Sequence, residues 1–216
     1  MIEHVYRRAS DARSVDAVLV ATDDERIAGA VDAFGGVAVM TRADHLSGTD
    51  RLAEVAASLD SEILVNVQGD LPFIPAAPID DTVGLVAGRP DLGMGTLRRR
   101  ITDAADVSRP SVVKVVVDTR GDALYFSRTA LPHVRAGQPP PTFWKHIGLY
   151  VYRREFLLRL AALPPTPLER AESLEQLRAL EHGFRIGTVE TTTDTIEIDT
   201  PEDLERGRRL VEAVRS

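Results

Sequence analysis

Residues 63–72, ILVNVQGDLP, carry the reading of the fold. Ile63, Leu64, Val65 and Val67 make a β-branched run too short for a helix and apolar on both faces, the pattern of a central strand in a covered parallel sheet. The run stops at Gln68, Gly69 and Asp70, so Asp70 is expected just past the strand's carboxyl end. In open α/β sheets ligands bind at that edge, where strand ends and loops enclose a crevice. A carboxylate there, with Pro72, Pro75 and Pro78 holding the next loop extended, suits a divalent cation set against a phosphate. It suits a turn or helix-capping aspartate as well.

Upstream, Ile2, Val5 and Ala9 recur at helical spacing, so the chain opens in a helix, whereas an α/β fold normally opens with a strand. Residues 17–21 (AVLVA) read as a buried strand. Asp23 and Asp24 are placed to cap a helix with Ile27, Val31 and Phe34 on its inner face and Gly35 and Gly36 at its end. Residues 37–40 form another short strand. Ser47, Gly48, Thr49 and Asp50 then turn into a helix that points Leu52, Val55 and Leu59 inward. Exposed amides at such a helix start favour an anion or a base edge, and a plain capped turn has the same sequence.

Downstream, Ile79, Val83 and Val86 mark a helix and residues 93–97 a strand. Residues 112–117 (VVKVVV) and 123–126 (ALYF), separated by Asp118, Thr119, Arg120, Gly121 and Asp122, read as a β-hairpin inserted in the α/β series. Residues 145–152 (KHIGLYVY) return as a strand with His146, Tyr150 and Tyr152 on one face, provided no bulge intervenes. Pro164, Pro165 and Pro167 precede one long helix with Leu174, Leu177 and Leu180 as its apolar stripe and Gly183 as its stop, which sets Glu172 and Gln176 on a shared face. Residues 186–189 and 196–198 are short strands, and Thr200, Pro201, Glu202 and Asp203 open a last helix. The fold class is therefore α/β, a Rossmann-like mixed sheet flanked by helices with a smaller hairpin-containing lobe. The whole chain reads as one domain, with a nucleotide-binding part over 1–110, the lobe over 111–190 and a returning strand and helix over 191–216.

The 216 residues are 44% hydrophobic, enough to bury a core of that size. A net charge of -7 speaks against a nucleic-acid or anionic-membrane surface, so any phosphate must be met locally. The chain has no cysteine, which excludes thiolate catalysis, disulfides and cysteine zinc sites and fits a reducing compartment. The start, MIEHVYRRAS, lacks an apolar leader core, and no run nears the roughly 18 residues needed to cross a bilayer. A cytoplasmic protein is expected.

Asp70 and Asp199 each follow a short β run and precede a turn or helix, so both are placed to project from one sheet edge toward a shared cation. A competing constellation, Asp23 and Asp24 with Asp70 and Lys114, imitates a phospho-receiver domain, but the hairpin and the length run against five regular βα units. There is no Walker A loop, no GxGxxG and no HExxH. His146 by itself reads more readily as a hydrogen-bonded strand histidine than as a catalytic one.

The blocks VLVATDDERIAGAVDAFGG, VMTRADHLSGTDRLAEVA, ILVNVQGD, VKVVVDTRGDALYFSRTALP, KHIGLYVYRREFL, PLERAESLEQLRALEHGFRI and IDTPEDLERGR occur in this order over almost all of the chain. Together they closely resemble the 3-deoxy-manno-octulosonate cytidylyltransferase (CMP-Kdo synthetase) family. The resemblance implies a Mg²⁺-dependent transfer of a cytidylyl group from CTP to Kdo, giving CMP-Kdo and pyrophosphate, by a homodimer on the route to lipopolysaccharide. It implies that Asp70 and Asp199 hold the metal and that Ser47, Gly48 and Arg51 contact the cytidine, with Gln68 near the reacting centre. For the sugar it implies Arg128, Arg135, His146, Tyr150, Glu172 and Gln176, an arginine suiting the Kdo carboxylate and the acids and amides its hydroxyls.

Three departures from the family pattern carry expectations of their own. The family opens with a strand and an IPAR-type loop whose Arg and Lys clamp the triphosphate, and this sequence begins just downstream of it. Lower stability and weak CTP binding are expected on that account, or a degenerate homologue that only binds sugar or nucleotide. Leu71 stands where many members have Glu, and either alters hydrogen bonding beside Asp70 or packs. Glu197 replaces a common Gly, and either repels nucleotide or points to solvent.

Overall fold

The computed structural model describes residues 1–45, 47–193, 195, 197–198, 202–205 and 207–209. Its elements, in chain order, are α1 (Ile2–Ser10), β1 (Val20–Thr22), α2 (Glu25–Ala33), β2 (Ala38–Met40), α3 (Gly48–Ala57), β3 (Ile63–Val67), α4 (Ala76–Gly88), β4 (Met94–Arg100), α5 (Ala104–Ser108), β5 (Lys114–Val117), β6 (Ala123–Ser127), β7 (Trp144–Arg153), α6 (Arg154–Ala161), α7 (Pro167–Glu172), α8 (Gln176–Glu181) and β8 (Ile186–Glu190). Residues 202–205 and 207–209 are helical. Glu197 and Ile198 carry no strand assignment, while Ile196, Thr200 and Pro201 of the expected last strand and cap lie outside the described residues.

Caps appear where the sequence placed them. Asp24 accepts the Arg26 amide at 2.8 Å and Ser47 the Asp50 amide at 3.1 Å, each satisfying a donor with no partner inside its helix. Val31 of α2 is fully buried, whereas Ile27, expected on the same inner face, is 41% exposed. The hairpin is present as β5 and β6, which pair antiparallel across a turn holding Gly121 at φ +83°, a conformation that costs glycine nothing.

The sheet is mixed, and β7 is its spine. On one side β7 pairs antiparallel with β4, which in turn pairs parallel with β8; on the other it pairs antiparallel with β3 over residues 149–153 and with β5 at 144–145. β1 and β2 form a separate parallel pair. The expectation of a central parallel strand at 63–67 is thus corrected: β3 runs antiparallel to β7, its neighbour among the described residues. Its apolar pattern reports burial on both faces, which a covered mixed sheet provides as well as a parallel one.

Between Thr96 and Leu97 the register on β7 jumps from Tyr150 to Ile147, so β7 bulges by two residues. An even insertion keeps the alternation of faces. Ile147, Leu149 and Val151 enter a core with α1 and α4 residues such as Ala9, Ile79 and Val86, while Tyr152 enters the opposite core with Ala56 of α3, Leu157 of α6 and Leu177 of α8. A bulge therefore does intervene in the 145–152 strand, yet the rings of His146 and Tyr150 (centroids 5.5 Å apart) and of Tyr150 and Tyr152 (6.0 Å) stay in contact.

The single helix expected over the Leu174, Leu177 and Leu180 stripe is two helices. Ser173 adopts φ +53° between α7 and α8, so Glu172 and Gln176 do not share one helical face. A buried ion pair holds the break. Glu169 closes the capping box of α7 with Thr166 and takes the Arg178 guanidinium at 2.6 and 2.9 Å. Arg178 also lies 3.8 Å from Asp50 of α3. Burial alone would raise the Glu169 pKa, but Arg178 and the Thr166 amide together hold it below the ordinary glutamate value of 4.5. Its contribution to stability is therefore complete above about pH 4.5 and is lost as the pH falls through the lower folded-state value. Glu169→Ala leaves the Arg178 charge buried with only the more distant Asp50, and should cost about 3 kcal/mol. That corresponds to a fall in Tm of about 6–12 °C, read by circular dichroism; a melt within a degree of the parent would show that Arg178 needs no partner.

Candidate functional site

The residues singled out in the sequence gather where the end of β3, the start of α3, the bulge of β7 and the α7–α8 break meet. Gln68, directly after β3, lies over the bulge: a Cβ built on Gly148 would come within 3.5 Å of its Cγ, and one on Gly48 within 3.9 Å of its Nε2. Gln68 thus spans from the bulge to the amino end of α3.

Of the two readings of that helix start, the structure shows the capped turn. The Glu175 carboxylate accepts the Gly48 amide at 3.3 Å and the Thr49 amide at 3.1 Å, and the Thr49 hydroxyl as well. With Ser47 taking the Asp50 amide, the first turn of α3 is satisfied from within. Glu175 had no sign in the sequence beyond its place in ESLEQ, because its partners lie 126 and 127 residues away. Arg51 reaches back to bond the Thr41 hydroxyl and pair with Asp23 at 3.2 Å, tying the loops after β1 and β2 together.

Along β7, His146 is buried and its Nε2 lies 3.0 Å from the Thr96 hydroxyl, which donates to the Leu149 carbonyl at 2.7 Å. The hydroxyl's one proton goes to the carbonyl, so His146 Nε2 is the donor in the other bond. Burial, aided by the Lys145 charge, pushes the His146 pKa down to about 3, so the ring is neutral. The next ring, Tyr150, is also held neutral, its pKa raised well above the usual tyrosine value by burial first and then by the charges around it. Its hydroxyl donates to Gln176 Oε1 at 3.1 Å. Gln176 is 3% exposed and its Nε2 is buried with no hydrogen-bond partner. An unfilled amide donor in the interior costs on the order of 1–3 kcal/mol, and marks a position where a ligand oxygen or a water belongs.

On the far side of Phe126, whose ring meets His146 edge-on at 5.0 Å, Ser127 donates to Glu172 Oε1 at 2.6 Å and the Arg128 amide to Oε2 at 2.9 Å. Arg128 turns its Nε to the Glu172 carbonyl at 2.8 Å. Arg135 stands apart: it is exposed in the loop between β6 and β7, and its carbonyl accepts the Gln138 amide at 3.0 Å.

At the end of β3, the Ile198 amide donates to the Asp70 carbonyl at 3.0 Å, which brings the segment preceding residue 199 against Asp70. Asp199 itself lies outside the described residues. Among the described residues no three His, Cys, Asp or Glu gather as a metal site; the Asp70 carboxylate at this strand end is a hard oxygen donor of the kind a Mg²⁺ ion takes. Leu71 packs, 1% exposed, into the core beside Ile74 and Leu149. Glu197 pairs with Lys145 at 3.6 Å. The receiver-like constellation is not assembled, because the Lys114 ammonium is taken up by three backbone carbonyls.

A sequence profile of the cytidylyltransferase family matches residues 1–190. The 3-deoxy-manno-octulosonate cytidylyltransferase of Solibacter usitatus is 53% identical over 213 residues, covering 99% of this chain and 84% of its own length. The enzyme of the same name from Geobacter metallireducens is 53% identical over 216 residues, covering 95% and 85%. The solved structure of CMP:2-keto-3-deoxy-manno-octonic acid synthetase complexed with CTP superposes with a TM-score of 0.92 at 46% identity, over 98% of this chain and 87% of that one. A glucose-1-phosphate thymidylyltransferase from Bacillus anthracis, at 15% identity and a TM-score of 0.66, shares the fold alone. With the family profile spanning most of its length and relatives above half identity along nearly all of it, this chain belongs to the cytidylyltransferase family.

Proposed function

We propose that the protein transfers the cytidylyl group of CTP to 3-deoxy-manno-octulosonate (Kdo), releasing pyrophosphate and forming CMP-Kdo for lipopolysaccharide synthesis. The relatives' names and the CTP complex of the similar synthetase support this reading. The observation that carries it within the structure is the buried, unfilled amide donor of Gln176, set beside Tyr150 and the neutral His146. Such a wall suits the hydroxyls of a polyol, since its donors and acceptors are fixed and uncharged. Arg128 stands nearby for the sugar's carboxylate, and Ser47, Gly48 and Arg51 flank the place for cytidine, with Gln68 between the two.

In the reaction the anomeric hydroxyl oxygen of Kdo forms a bond to the α-phosphorus as the bond to the bridging oxygen breaks, and pyrophosphate leaves with that oxygen. No covalent enzyme intermediate is required, so the side chains act by placing the two substrates in line. Asp70 and Asp199 would hold Mg²⁺. When bound, the ion offsets charge on the α-phosphate and the leaving pyrophosphate. We place the enzyme in the bacterial cytoplasm as a homodimer; no helix among the described residues is long and apolar enough to cross a membrane.

Pyrophosphate release from CTP, Kdo and MgCl₂ is the direct measurement, and its absence, or equal release with an unrelated sugar in place of Kdo, would overturn the reading. Asp70→Asn and Asp199→Asn should each cut turnover by at least about a hundredfold with an unchanged Tm. Glu172→Ala and His146→Ala should raise the KM for Kdo about tenfold or more and leave that for CTP nearly unchanged. Equal rises for both substrates would point to damaged folding instead.

The His146 pKa has a consequence for pH. Its folded value, about 3, lies below the unfolded 6.5, so the unfolded chain takes up a proton that the folded chain refuses. Stability from this group is complete above about pH 6.5 and declines as the pH falls toward 3. Between pH 5.5 and 8 the rate should show no limb due to His146, and its ring nitrogens should report one neutral tautomer by NMR throughout. A titration near pH 6.5 would show that the ring is reached by solvent.

A further inference from the structure

Lys114 is fully buried and its ammonium makes three hydrogen bonds, to the carbonyls of Arg109 (2.9 Å), Val112 (2.6 Å) and Arg128 (2.6 Å). Three donors meet three acceptors, so the group is saturated without a carboxylate in the set. Burying a cation in this way costs several kcal/mol of hydration, and a methionine of similar volume would pack the same space at less cost. The charge therefore calls for a reason other than packing. One of the three carbonyls belongs to Arg128, whose amide holds Glu172 Oε2, whose Nε holds the Glu172 carbonyl, and whose remaining nitrogens reach Pro110 (3.3 Å) and Ser173 (3.4 Å). Pro110 lies inside the turn that Lys114 clamps. A closed circuit runs from Lys114 through the 109–112 turn to Arg128 and back, and Arg128 extends it to Glu172.

We propose that Lys114 is a positioning residue, a buried ammonium that fixes the Arg128–Glu172 pair in the geometry needed to bind a hydroxylated sugar acid. It touches no substrate and acts through the backbone of Arg128. The circuit also sets Ser173, the left-handed residue after which Gln176 enters the site. Glu172 and Asp106 are the anions whose fields reach the ammonium and Arg128 the cation that opposes them, and none of the three side chains is among its hydrogen-bond partners. The proposal rests on the assignment of this pocket to Kdo.

The absence of cysteine makes a chemical test available. Lys114→Cys gives a chain with a single thiol, which can be alkylated while unfolded and then refolded beside a refolded parent. Aminoethylation restores an ammonium at nearly the length of lysine; propylation gives a neutral side chain of the same shape. The propylated protein should show a KM for Kdo raised about tenfold to a hundredfold, with the KM for CTP within about twofold. Hydrogen exchange at the Arg128 amide should quicken in it, and the aminoethylated protein should recover both properties. Equal behaviour of the two alkylated forms, parallel changes in both KM values, or unchanged exchange at Arg128 would each overturn the proposal. Should the propylated chain not refold, Lys114→Arg takes its place, keeping the charge but not the three-carbonyl geometry, with the same split in KM expected. A parent with no turnover would overturn the assignment to Kdo, and the exchange at Arg128 would then decide the role of Lys114 by itself.

Discussion

Strand β7 overruns β4 by two residues at Thr96, and most of the site follows from that mismatch. The hydroxyl of Thr96 meets the looped-out backbone at the Leu149 carbonyl and takes the Nε2 hydrogen of His146, so the bulge is held by bonds that also fix a site ring. Because the insertion is even, aliphatic side chains stay on one face of β7 and the rings on the other. Gly148 sits in the bulge, within contact range of the Gln68 side chain.

Carboxylates and amide dipoles on the walls are largely satisfied by one another before any substrate arrives. Glu175 closes the start of α3, Glu172 is held by Ser127 and Arg128, and Glu169 is held by Arg178. The links run between the two halves of the pocket: Glu175 joins the turn at Gly48 to the helix that opens with Gln176. Among the described residues of this wall, Gln176 Nε2 is a buried donor with no hydrogen-bond partner, a place for a ligand oxygen or a water.

The electrostatics of the pocket follow the same economy. A chain of net charge -7 that handles a triphosphate and a sugar acid needs cations placed singly, and neutral groups elsewhere. His146 and Tyr150 are kept uncharged by burial, so they present fixed donors and acceptors that do not change with cellular pH. The positive charges, Arg51, Arg128 and Lys114, are each bound to carbonyls, a hydroxyl or an acid, which fixes their position at the expense of reach.

What the sequence by itself determined is what local pattern encodes. The caps at Asp24 and Ser47, the hairpin around Gly121, the β7 strand with its three rings and the placement of Asp70 at the end of β3 all depend on residues within a few positions of one another. The resemblance to a known family added the roles of Ser47, Gly48, Arg51, Gln68, His146, Tyr150, Glu172 and Gln176, most of which the structure draws into one region. Only the tertiary structure decided the partner of β3, the break at Ser173, the occupation of the α3 start by Glu175 and the circuit through Lys114. The leucine stripe did not register the break because Leu174, Leu177 and Leu180 all follow Ser173 and enter the core from the α8 side alone. The strand pattern at 63–67 reported two covered faces and not which strand lies alongside, since hydrogen-bonded neighbours are chosen by backbone groups that are the same in every residue.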